Sequence, residues 1–247
     1  MLDSALSVAR TCRESLASLT DGSRSRAAQL EDPPSRGKYF SVLEIADHVV
    51  PDPFAVLRTY ASRRRTLQTY DVPGAGDPRS LVMEEITRTR VISSRISVRE
   101  ANWFLKRAID APWDHVPHDA DLREADPAER GGLYDGIETL YRHFRADSPR
   151  GIAGAKVSKV LHLKRPAVYP ILDSHLLKTY AVPARREGRA HPTRGSRHLY
   201  WAAIREDLIH NSAALATVRQ QLSQDTDPNV QECAKLTDLR LMDICTW

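Results

Sequence analysis

The sequence predicts an all-α fold, and three observations lead to this prediction. Apolar residues recur three and four positions apart through most of the chain, as they do on the buried face of a helix. Segments 41–44 and 97–100 match the Ser-x-x-Glu capping box that opens helices. Segment 79–96 is rich in β-branched residues, which fit a strand, but its length favours a helix. We therefore expect helices to form nearly all of the regular structure.

The first half of the chain divides into helices separated by loops. An apolar stripe between Leu2 and Leu19 predicts a first helix, which the Asp-Gly pair after it ends. Residues 23–38 contain a Pro-Pro pair and are predicted to form a connecting loop. Helices are expected after both capping boxes. Residues 110–128 contain three prolines and are predicted to form a long loop.

The second half of the chain contains the clearest amphipathic helix. Its apolar face consists of Leu133, Ile137, Leu140, Tyr141 and Phe144. This helix is expected to end near residue 147, because a proline follows at position 149. Residues 183–197 are rich in arginine and glycine and are predicted to form a loop. Two closing helices are expected over 198–222 and 229–245.

Charge and cysteine content limit the classes of protein to consider. The net charge is +4 and the pI is near 9.0, which fits a polyanionic partner without requiring one. The three cysteines are too widely spaced for a disulfide framework, a zinc site or an iron–sulfur site, and they favour a reducing cytoplasm. Neither a signal peptide nor an apolar run of about 20 residues is evident. We therefore expect a cytoplasmic monomer that does not enter a membrane.

Basic residues gather in three clusters along the chain. The first cluster is residues 63–65. The second consists of Lys156, Lys159, Lys164 and Arg165, and the third of Arg185, Arg186, Arg189, Arg194 and Arg197. The first cluster is best explained as an ordinary solvated surface.

The run 149–161 predicts a helix, a tight turn and a second helix. Gly151 and Gly154 permit backbone conformations and close approaches that a side chain would prevent. The amides that open the second helix point outward, and they favour a phosphate there. The predicted contacts to a DNA backbone are Gly151, Ile152, Ala153, Gly154, Ala155, Lys156 and Lys159. The two lysines are explained equally well as solvated surface residues.

Residues 149–182 resemble the signature of the helix-hairpin-helix DNA glycosylase superfamily, which includes endonuclease III and the adenine glycosylase that acts opposite oxidised guanine. In that family an aspartate opens the next helix 22 positions after the first hairpin glycine, and counting from Gly151 gives Asp173. Segment 170–173 (Pro-Ile-Leu-Asp) is similar to the adenine glycosylase sequence, and 173–175 (Asp-Ser-His) to the Asp-Thr-His of endonuclease III. The resemblance implies that Asp173 is the catalytic carboxylate.

The resemblance also implies an architecture of two interleaved helical lobes with a central cleft, with the hairpin and the catalytic-aspartate helix at its mouth. The approximate lobes are 40–148 and 1–25 plus 149–247, which together form one glycosylase-like unit. A flipped base would need walls inside that cleft. His175, Tyr169 and Trp103 are candidates for such walls, and each is also explained as a packing residue.

The sequence departs from the family pattern at two positions. Ala153 replaces the second hairpin glycine, which alters the geometry of the turn. Ala155 stands where bifunctional members carry a Schiff-base lysine, and Lys156 comes one residue later, rotated by about 100° around the helix. The four-cysteine iron–sulfur loop is also absent. We therefore expect a monofunctional enzyme without a cofactor, apart from the monovalent cation that the resemblance implies at the hairpin.

Asp173 has a structural role available to it as well as a chemical one. Cleavage of an N-glycosidic bond leaves positive charge on the sugar, and a carboxylate beside C1′ stabilises that charge and orients the attacking water. The other explanation is a helix N-cap for residues 174–180, a role that aspartate often has. The two roles can coexist.

The sequence therefore predicts a monofunctional DNA glycosylase that flips out and hydrolytically excises a modified or damaged base from double-stranded DNA, leaving an abasic site. Its purpose is either DNA repair or defence against phage DNA that carries modified bases. A non-catalytic helix-hairpin-helix DNA-binding module is the first alternative. A bifunctional glycosylase and lyase that uses Lys156 is the second.

Overall fold

The computed structural model describes residues 41–247, whose regular structure is almost entirely helical. This confirms the all-α class for the described residues, with a short β-hairpin as the exception. The helix predicted between Leu2 and Leu19, the loop predicted over 23–38 and the lobe segment 1–25 lie outside the described residues. Among the residues that are described, no helix is both long enough and apolar enough to cross a membrane.

The elements follow one another with short connections. Strand β1 (Leu43–Ile45) pairs antiparallel with β2 (His48–Val50), with Leu43 opposite Val50. The helices are α1 (Pro53–Ser62), α2 (Met83–Arg88), α3 (Val98–Ala108), α4 (Leu133–Arg145), α5 (Gly154–Lys164), α6 (Ser174–Thr179), α7 (Ala181–Ala190), α8 (Tyr200–His210), α9 (Ser212–Ser223), α10 (Pro228–Cys233) and α11 (Asp238–Cys245). A π-helical turn occupies Leu67–Asp71, and 3-10 turns occupy Thr89–Ile92, Trp113–His115, Leu122–Glu124 and Pro192–Arg194.

The two capping-box predictions have opposite outcomes. The box at 97–100 is confirmed: the Ser97 hydroxyl accepts a hydrogen bond from Glu100 N–H, the Glu100 carboxylate accepts one from Ser97 N–H, and α3 follows. The helix predicted after the box at 41–44 is wrong, because β1 lies there. Side chains at the end of α8 hold this strand, since Glu44 N–H donates to Asn211 Oδ1 at 2.9 Å.

The loop predicted over 183–197 is wrong in its first half, which α7 occupies. Gly188 allows the segment after α7 to lie close to it, because a Cβ on this residue would be 2.3 Å from the carbonyl oxygen of Arg197. The single helix predicted over 198–222 is interrupted at Asn211, where α8 ends and α9 follows. The helix predicted over 229–245 is likewise two helices, α10 and α11.

One buried core connects the helices that carry the predicted site. Helix α1 packs against α9, α10 and α11, while α4 packs against α5. The predicted apolar face of α4 is confirmed, since Ile137, Leu140 and Phe144 are fully buried in the same core as Val157 and Val160 of α5. Each such side chain stabilises the fold by roughly 1.5–3 kcal/mol. This packing fixes the positions of the two helices on either side of the turn at residues 146–153.

His162 of α5 is a buried titratable group. Its ring stacks on Tyr70, with 5.9 Å between ring centroids, and Nδ1 lies 2.7 Å from the carbonyl oxygen of Tyr169. Burial lowers the pKa of His162 to about 3. An unfolded histidine binds its proton near pH 6.5, so the unfolded chain binds more protons than the folded one below that pH. Stability is therefore lost as the pH falls from about 6.5 towards 3.

We expect His162→Gln to reduce this acid sensitivity, because glutamine stays neutral and keeps an N–H donor. In the wild type, His162 lowers the free energy of unfolding by up to about 1.4 kcal/mol for each pH unit below pH 6.5, and the variant should lack this decrease. Urea unfolding of the wild type and the variant at several pH values measures it, with the exposed His118→Gln as control. Other titrating groups cancel in the comparison. Parallel pH curves for the wild type and His162→Gln would contradict this assignment.

Candidate functional site

The turn predicted around Gly151 lies between α4 and α5. Helix α4 ends at Arg145 and α5 begins at Gly154. Gly151 has φ of +106°, in the region where a residue with a side chain is strained. Ile152 is only 3% exposed and fixes the turn to the core. The glycine turn therefore connects α4 to α5.

Glu100, near the start of α3, lies against this turn. Its Oε1 accepts a hydrogen bond from Lys156 Nζ at 2.6 Å, and its Oε2 accepts one from Ser97 N–H at 2.7 Å. A Cβ on Gly151 would lie 2.7 Å from Glu100 Oε1, so this close approach also requires glycine. Burial favours the protonated acid, but the hydrogen bonds from Lys156 and Ser97 outweigh it and hold the pKa of Glu100 below its usual value. Glu100 is therefore charged at neutral pH.

Two carbonyl groups of the turn already have hydrogen-bond donors. The Ile152 carbonyl oxygen accepts a bond from Arg145 Nη1 at 2.6 Å, and the Pro149 carbonyl oxygen accepts one from Ile152 N–H at 3.1 Å. Arg145 places its own positive charge at the carbonyl edge, where a second cation would be repelled. The Ile152 carbonyl oxygen is therefore a poor ligand for the monovalent cation that the family resemblance implies at the hairpin.

The first turn of α5 leaves its amides without a side-chain cap. Ala153 is the N-cap residue, and it has no side-chain oxygen that could accept their hydrogen bonds. Gly154 is required here by packing, because a Cβ would lie 2.6 Å from the Tyr141 hydroxyl on α4. Uncapped amides at the start of an eleven-residue helix attract an anion. The amides of Gly154 and Ala155 are thus the ones that suit a phosphate.

The lysines of α5 are engaged within the protein. Lys156 forms an ion pair with Glu100 and has a side chain 19% exposed. Lys159 is 7% exposed and donates to the Ile92 carbonyl oxygen at 2.7 Å, and burial lowers its pKa. This corrects the interpretation of Lys159 as a phosphate contact, because the residue lies on the buried face of α5. Lys164 and Arg165 are 2% exposed each, so the second basic cluster is mostly internal.

Two other arginines do face solvent beside the turn. Arg150 directly precedes Gly151, and Arg99 directly precedes Glu100, the residue that supports the turn. Both are exposed, and neither forms an ion pair with a carboxylate in the part of the chain that the structure describes. These two arginines and Arg145 therefore supply positive charge near the turn, whereas the predicted lysines are engaged within the protein.

Asp173 is the N-cap of α6. Its Oδ1 accepts hydrogen bonds from His175 N–H at 2.9 Å and from Leu176 N–H at 3.1 Å. The capping role that the sequence left open is therefore confirmed. Among residues 41–247, Oδ2 accepts no hydrogen bond and no basic side chain forms an ion pair with Asp173. The half-buried carboxylate thus keeps one oxygen that capping does not use.

His175 lies at the surface beside Asp173 and contacts the last residues of the chain. Its Nε2 donates to the Thr246 carbonyl oxygen at 2.7 Å, and its ring stacks on Trp247 with 5.1 Å between centroids and 29° between planes. The Trp247 ring is 70% exposed. The sequence gives no signal for this contact, because the two hydrogen-bonded residues are 71 positions apart.

The other two cleft candidates belong to the packing of the protein. Tyr169 is fully buried and its hydroxyl donates to the Ile137 carbonyl oxygen at 3.0 Å. This corrects its interpretation as a cleft residue: its ring packs edge-on against Trp201 in the core. Trp103 is half-buried on α3, and its ring meets Phe104 edge-on at 5.2 Å. Of the three candidates, only His175 is placed beside Asp173 by direct contacts.

Two cavities differ greatly in size and position. A cavity of about 790 Å³ lies at the N-terminal end of α4, away from the Gly151 turn. Its acidic lining residues are Asp114, Asp119, Glu124 and Asp135. A second cavity, beneath α6, has a volume of about 10 Å³, which suits a single water molecule. Asp173 lines neither cavity, and the one beneath α6 is far smaller than the roughly 300 Å³ of a typical ligand site.

The close approach of Glu100 gives a testable requirement for glycine at position 151. We expect Gly151→Ala to destabilise the protein by about 1–3 kcal/mol, because it adds backbone strain and displaces a carboxylate held by two hydrogen bonds. Gly131→Ala is the matched control, since Gly131 also has positive φ but has open space around its Cβ position. Thermal unfolding of both variants measures the difference. Equal losses would show that Glu100 does not restrict position 151.

The comparisons with known proteins give one family. A family model with the description "Family of unknown function (DUF6308)" matches residues 54–247, a range that includes the turn, Asp173 and Trp247. The search of curated proteins found no match, and neither did the search of solved structures.

Proposed function

The chain belongs to DUF6308, a family of unknown function, so its activity has to be inferred from its own residues, and we propose that it is a monofunctional DNA glycosylase. In this proposal the protein hydrolyses the N-glycosidic bond of a modified or damaged base in double-stranded DNA and leaves an abasic site. The observation that carries the proposal is the position and hydrogen bonding of the Asp173 carboxylate. Its carboxylate stands 22 positions after the turn glycine and is fixed through one oxygen, while the other oxygen accepts no hydrogen bond from residues 41–247.

That arrangement fits the charge that develops during base excision. When the bond between C1′ and the base nitrogen breaks, its electron pair leaves with the base and C1′ becomes cationic. A fixed carboxylate oxygen beside C1′ stabilises this charge without having to reorganise. A water molecule then adds its oxygen to C1′, and the proton that it loses balances the proton that the released base gains. Asp173 Oδ2 is the atom proposed to face C1′ and this water.

The turn supplies the proposed contact with the DNA backbone. The uncapped amides of Gly154 and Ala155 suit a phosphate, and Arg150 and Arg99 add positive charge next to them. Such contacts hold DNA without reading its sequence. Lys156 is held by Glu100 as a charged ion-pair partner, which supports hydrolysis rather than a lyase reaction through a free lysine amine.

A base needs a pocket, and Asp173 lines neither of the two cavities described above. Because the cavity beneath α6 is only about 10 Å³, the proposal requires that the surface next to Asp173 opens when DNA binds. The segment best placed for such a movement is 246–247, which contacts His175 through one hydrogen bond and one ring stack. The proposed base site is thus one that DNA binding completes.

The second candidate function is a non-catalytic DNA-binding module. Two observations favour it: Asp173 already has a capping role, and the neighbouring cavity is small. Such a protein would use the turn for phosphate contact and would need no pocket. It predicts duplex binding without any chemical change in the DNA.

Mass spectrometry of free bases separates the two functions. The wild-type protein is incubated with DNAs that carry alkylated, oxidised, deaminated or naturally hypermodified bases. A glycosylase releases a free base from at least one of them, and the class that reacts separates a repair role from defence against modified phage DNA. Release from none of them, with duplex binding intact, would favour the binding module.

A further inference from the structure

Part of the third basic cluster is exposed on α7, whereas Arg194 lies outside this helix and pairs with Asp135 through a buried side chain. The helix buries Pro183 and Ala184 on one side. Arg185 and Arg189 are four residues apart and therefore lie on one face, which is exposed. Val182, three residues before Arg185, lies on the same face and is 68% exposed. This solvent face is therefore basic and contacts none of the described core.

The basic surface continues onto α6, which Asp173 caps. Tyr180 alone separates the two helices, and hydrogen bonds from Tyr180 N–H to Leu176 and from Ala184 N–H to Tyr180 connect them across it. Lys178 is exposed and lies about one turn before Val182. From Lys178 to Arg189 the surface is at most about 17 Å long, the length of eleven residues in one straight helix at 1.5 Å per residue. We call Lys178, Arg185, Arg189 and Arg197 the basic stripe.

Arg197 joins the stripe from the side. Its carbonyl oxygen is so close to Gly188 that a Cβ there would clash with it, which brings residue 197 next to Arg189. The nearby acids are directed elsewhere: Asp47 pairs with Arg186, and Glu187 pairs with His191. In the described part of the chain, no carboxylate forms an ion pair with any of the four stripe residues. Within residues 41–247 the stripe therefore has four positive charges without an ion-pair partner.

We propose that the basic stripe binds the phosphate backbone of the DNA and leads it along α6 and α7 past Asp173. The inference rests on the proposed DNA partner. Four unpaired cations over this length match a polyanion with one charge per strand every 3.4 Å or so, and each contact releases condensed counterions. The stripe begins on the helix that Asp173 opens, so a strand that follows it stays close to the candidate catalytic carboxylate. The surface takes part in binding, not in the chemical step.

Salt dependence of duplex binding tests the stripe. The double variant Arg185→Gln with Arg189→Gln is compared with the wild type by fluorescence anisotropy of an unmodified duplex over a range of salt concentrations. Loss of two phosphate contacts is expected to reduce the slope of log affinity against log salt by about 1.8, or 0.9 per contact. The matched control is Arg63→Gln with Arg65→Gln, which removes the same charge from an exposed segment after α1. Circular dichroism and thermal unfolding verify that each variant is folded.

The outcomes separate this inference from the proposed function. A reduced slope in the stripe variant, with the control unchanged, supports the stripe even if no base is ever released. Equal slopes in the stripe variant, the control and the wild type would overturn it, even if base release is observed. An equal reduction in both double variants would also overturn it, because the effect would then follow net charge rather than position.

Discussion

Arg240→Met is expected to leave the protein unfolded or close to unfolding. The Arg240 side chain is 6% exposed, and it donates to Asp71 Oδ1 at 2.8 Å and to Asp243 Oδ2 at 2.5 Å. Each of these aspartate side chains is 1% exposed. Removing one partner of a buried ion pair costs about 3–5 kcal/mol, because the other charge stays buried without compensation. Here one substitution leaves two such carboxylates, and domains have only about 5–15 kcal/mol of stability.

The loss should depend on pH. Burial already raises the pKa of Asp243 to about 6, against the opposing effect of Arg240. Without the guanidinium this pKa rises further, so the folded variant binds protons that the unfolded chain does not. A raised folded-state pKa adds stability at low pH that is lost as the pH rises through it. Arg240→Met should therefore be less destabilised at about pH 5 than at about pH 7.5.

Chemical denaturation followed by circular dichroism measures this effect. The control is Arg186→Met, whose side chain is 61% exposed and pairs with Asp47 at 3.3 Å. An exposed pair of this kind contributes at most about 1 kcal/mol. Adding Asp71→Asn and Asp243→Asn to Arg240→Met should recover part of the stability, because no buried charge then remains unpaired. Equal unfolding midpoints for Arg240→Met and Arg186→Met would contradict the role of this cluster.

Asp173→Asn is expected to reduce base release by about 100- to 1,000-fold, the usual cost of losing one electrostatic stabiliser of a transition state. The fold should be unaffected, because asparagine caps helices as well as aspartate does and keeps the oxygen that His175 N–H and Leu176 N–H require. The substitution therefore removes the charge while keeping the shape. If Asp173 were only a helix cap, Asp173→Asn would release base at the wild-type rate.

The chain offers a matched control for this substitution. Asp227 caps α10, a six-residue helix like α6, through a hydrogen bond from Asn229 N–H at 2.8 Å. Asp227→Asn removes the same charge from the same kind of position. Its rate of base release should equal that of the wild type, and both variants should unfold within about 1 kcal/mol of the wild type.

Local patterns predicted the elements that are stabilised by their own residues. The apolar face of α4 and the capping box of Ser97 each lie within one segment, and both are confirmed. The same Ser-x-x-Glu pattern at 41–44 failed because Asn211, 167 positions away from Glu44, supplies a competing hydrogen bond to that backbone. Tertiary contacts of this kind leave no periodic signal in the sequence.

The same distinction explains which parts of the candidate site were predictable. The glycine turn and the Asp173 cap are local; the glycines indicated the turn, and the family resemblance pointed to Asp173. The pairing of Lys156 with Glu100 spans 56 positions, so the sequence could not indicate that this lysine is engaged. Arg240 and Asp71 are 169 positions apart and had no predicted role. Lys159 is buried because it lies on the face of α5 that meets the core. The sequence pattern of this helix did not indicate which face that is.

The most direct test of the central claim is a single-turnover reaction in ¹⁸O-labelled water with the substrate that the base-release panel identifies. Free base and labelled abasic DNA are quantified together for the wild type, Asp173→Asn and Asp227→Asn. For the wild type and Asp227→Asn, the account predicts equal amounts of free base and of abasic sites carrying ¹⁸O at C1′. For Asp173→Asn, it predicts a rate of base release reduced by about 100- to 1,000-fold. Base release at the wild-type rate by folded Asp173→Asn would contradict it.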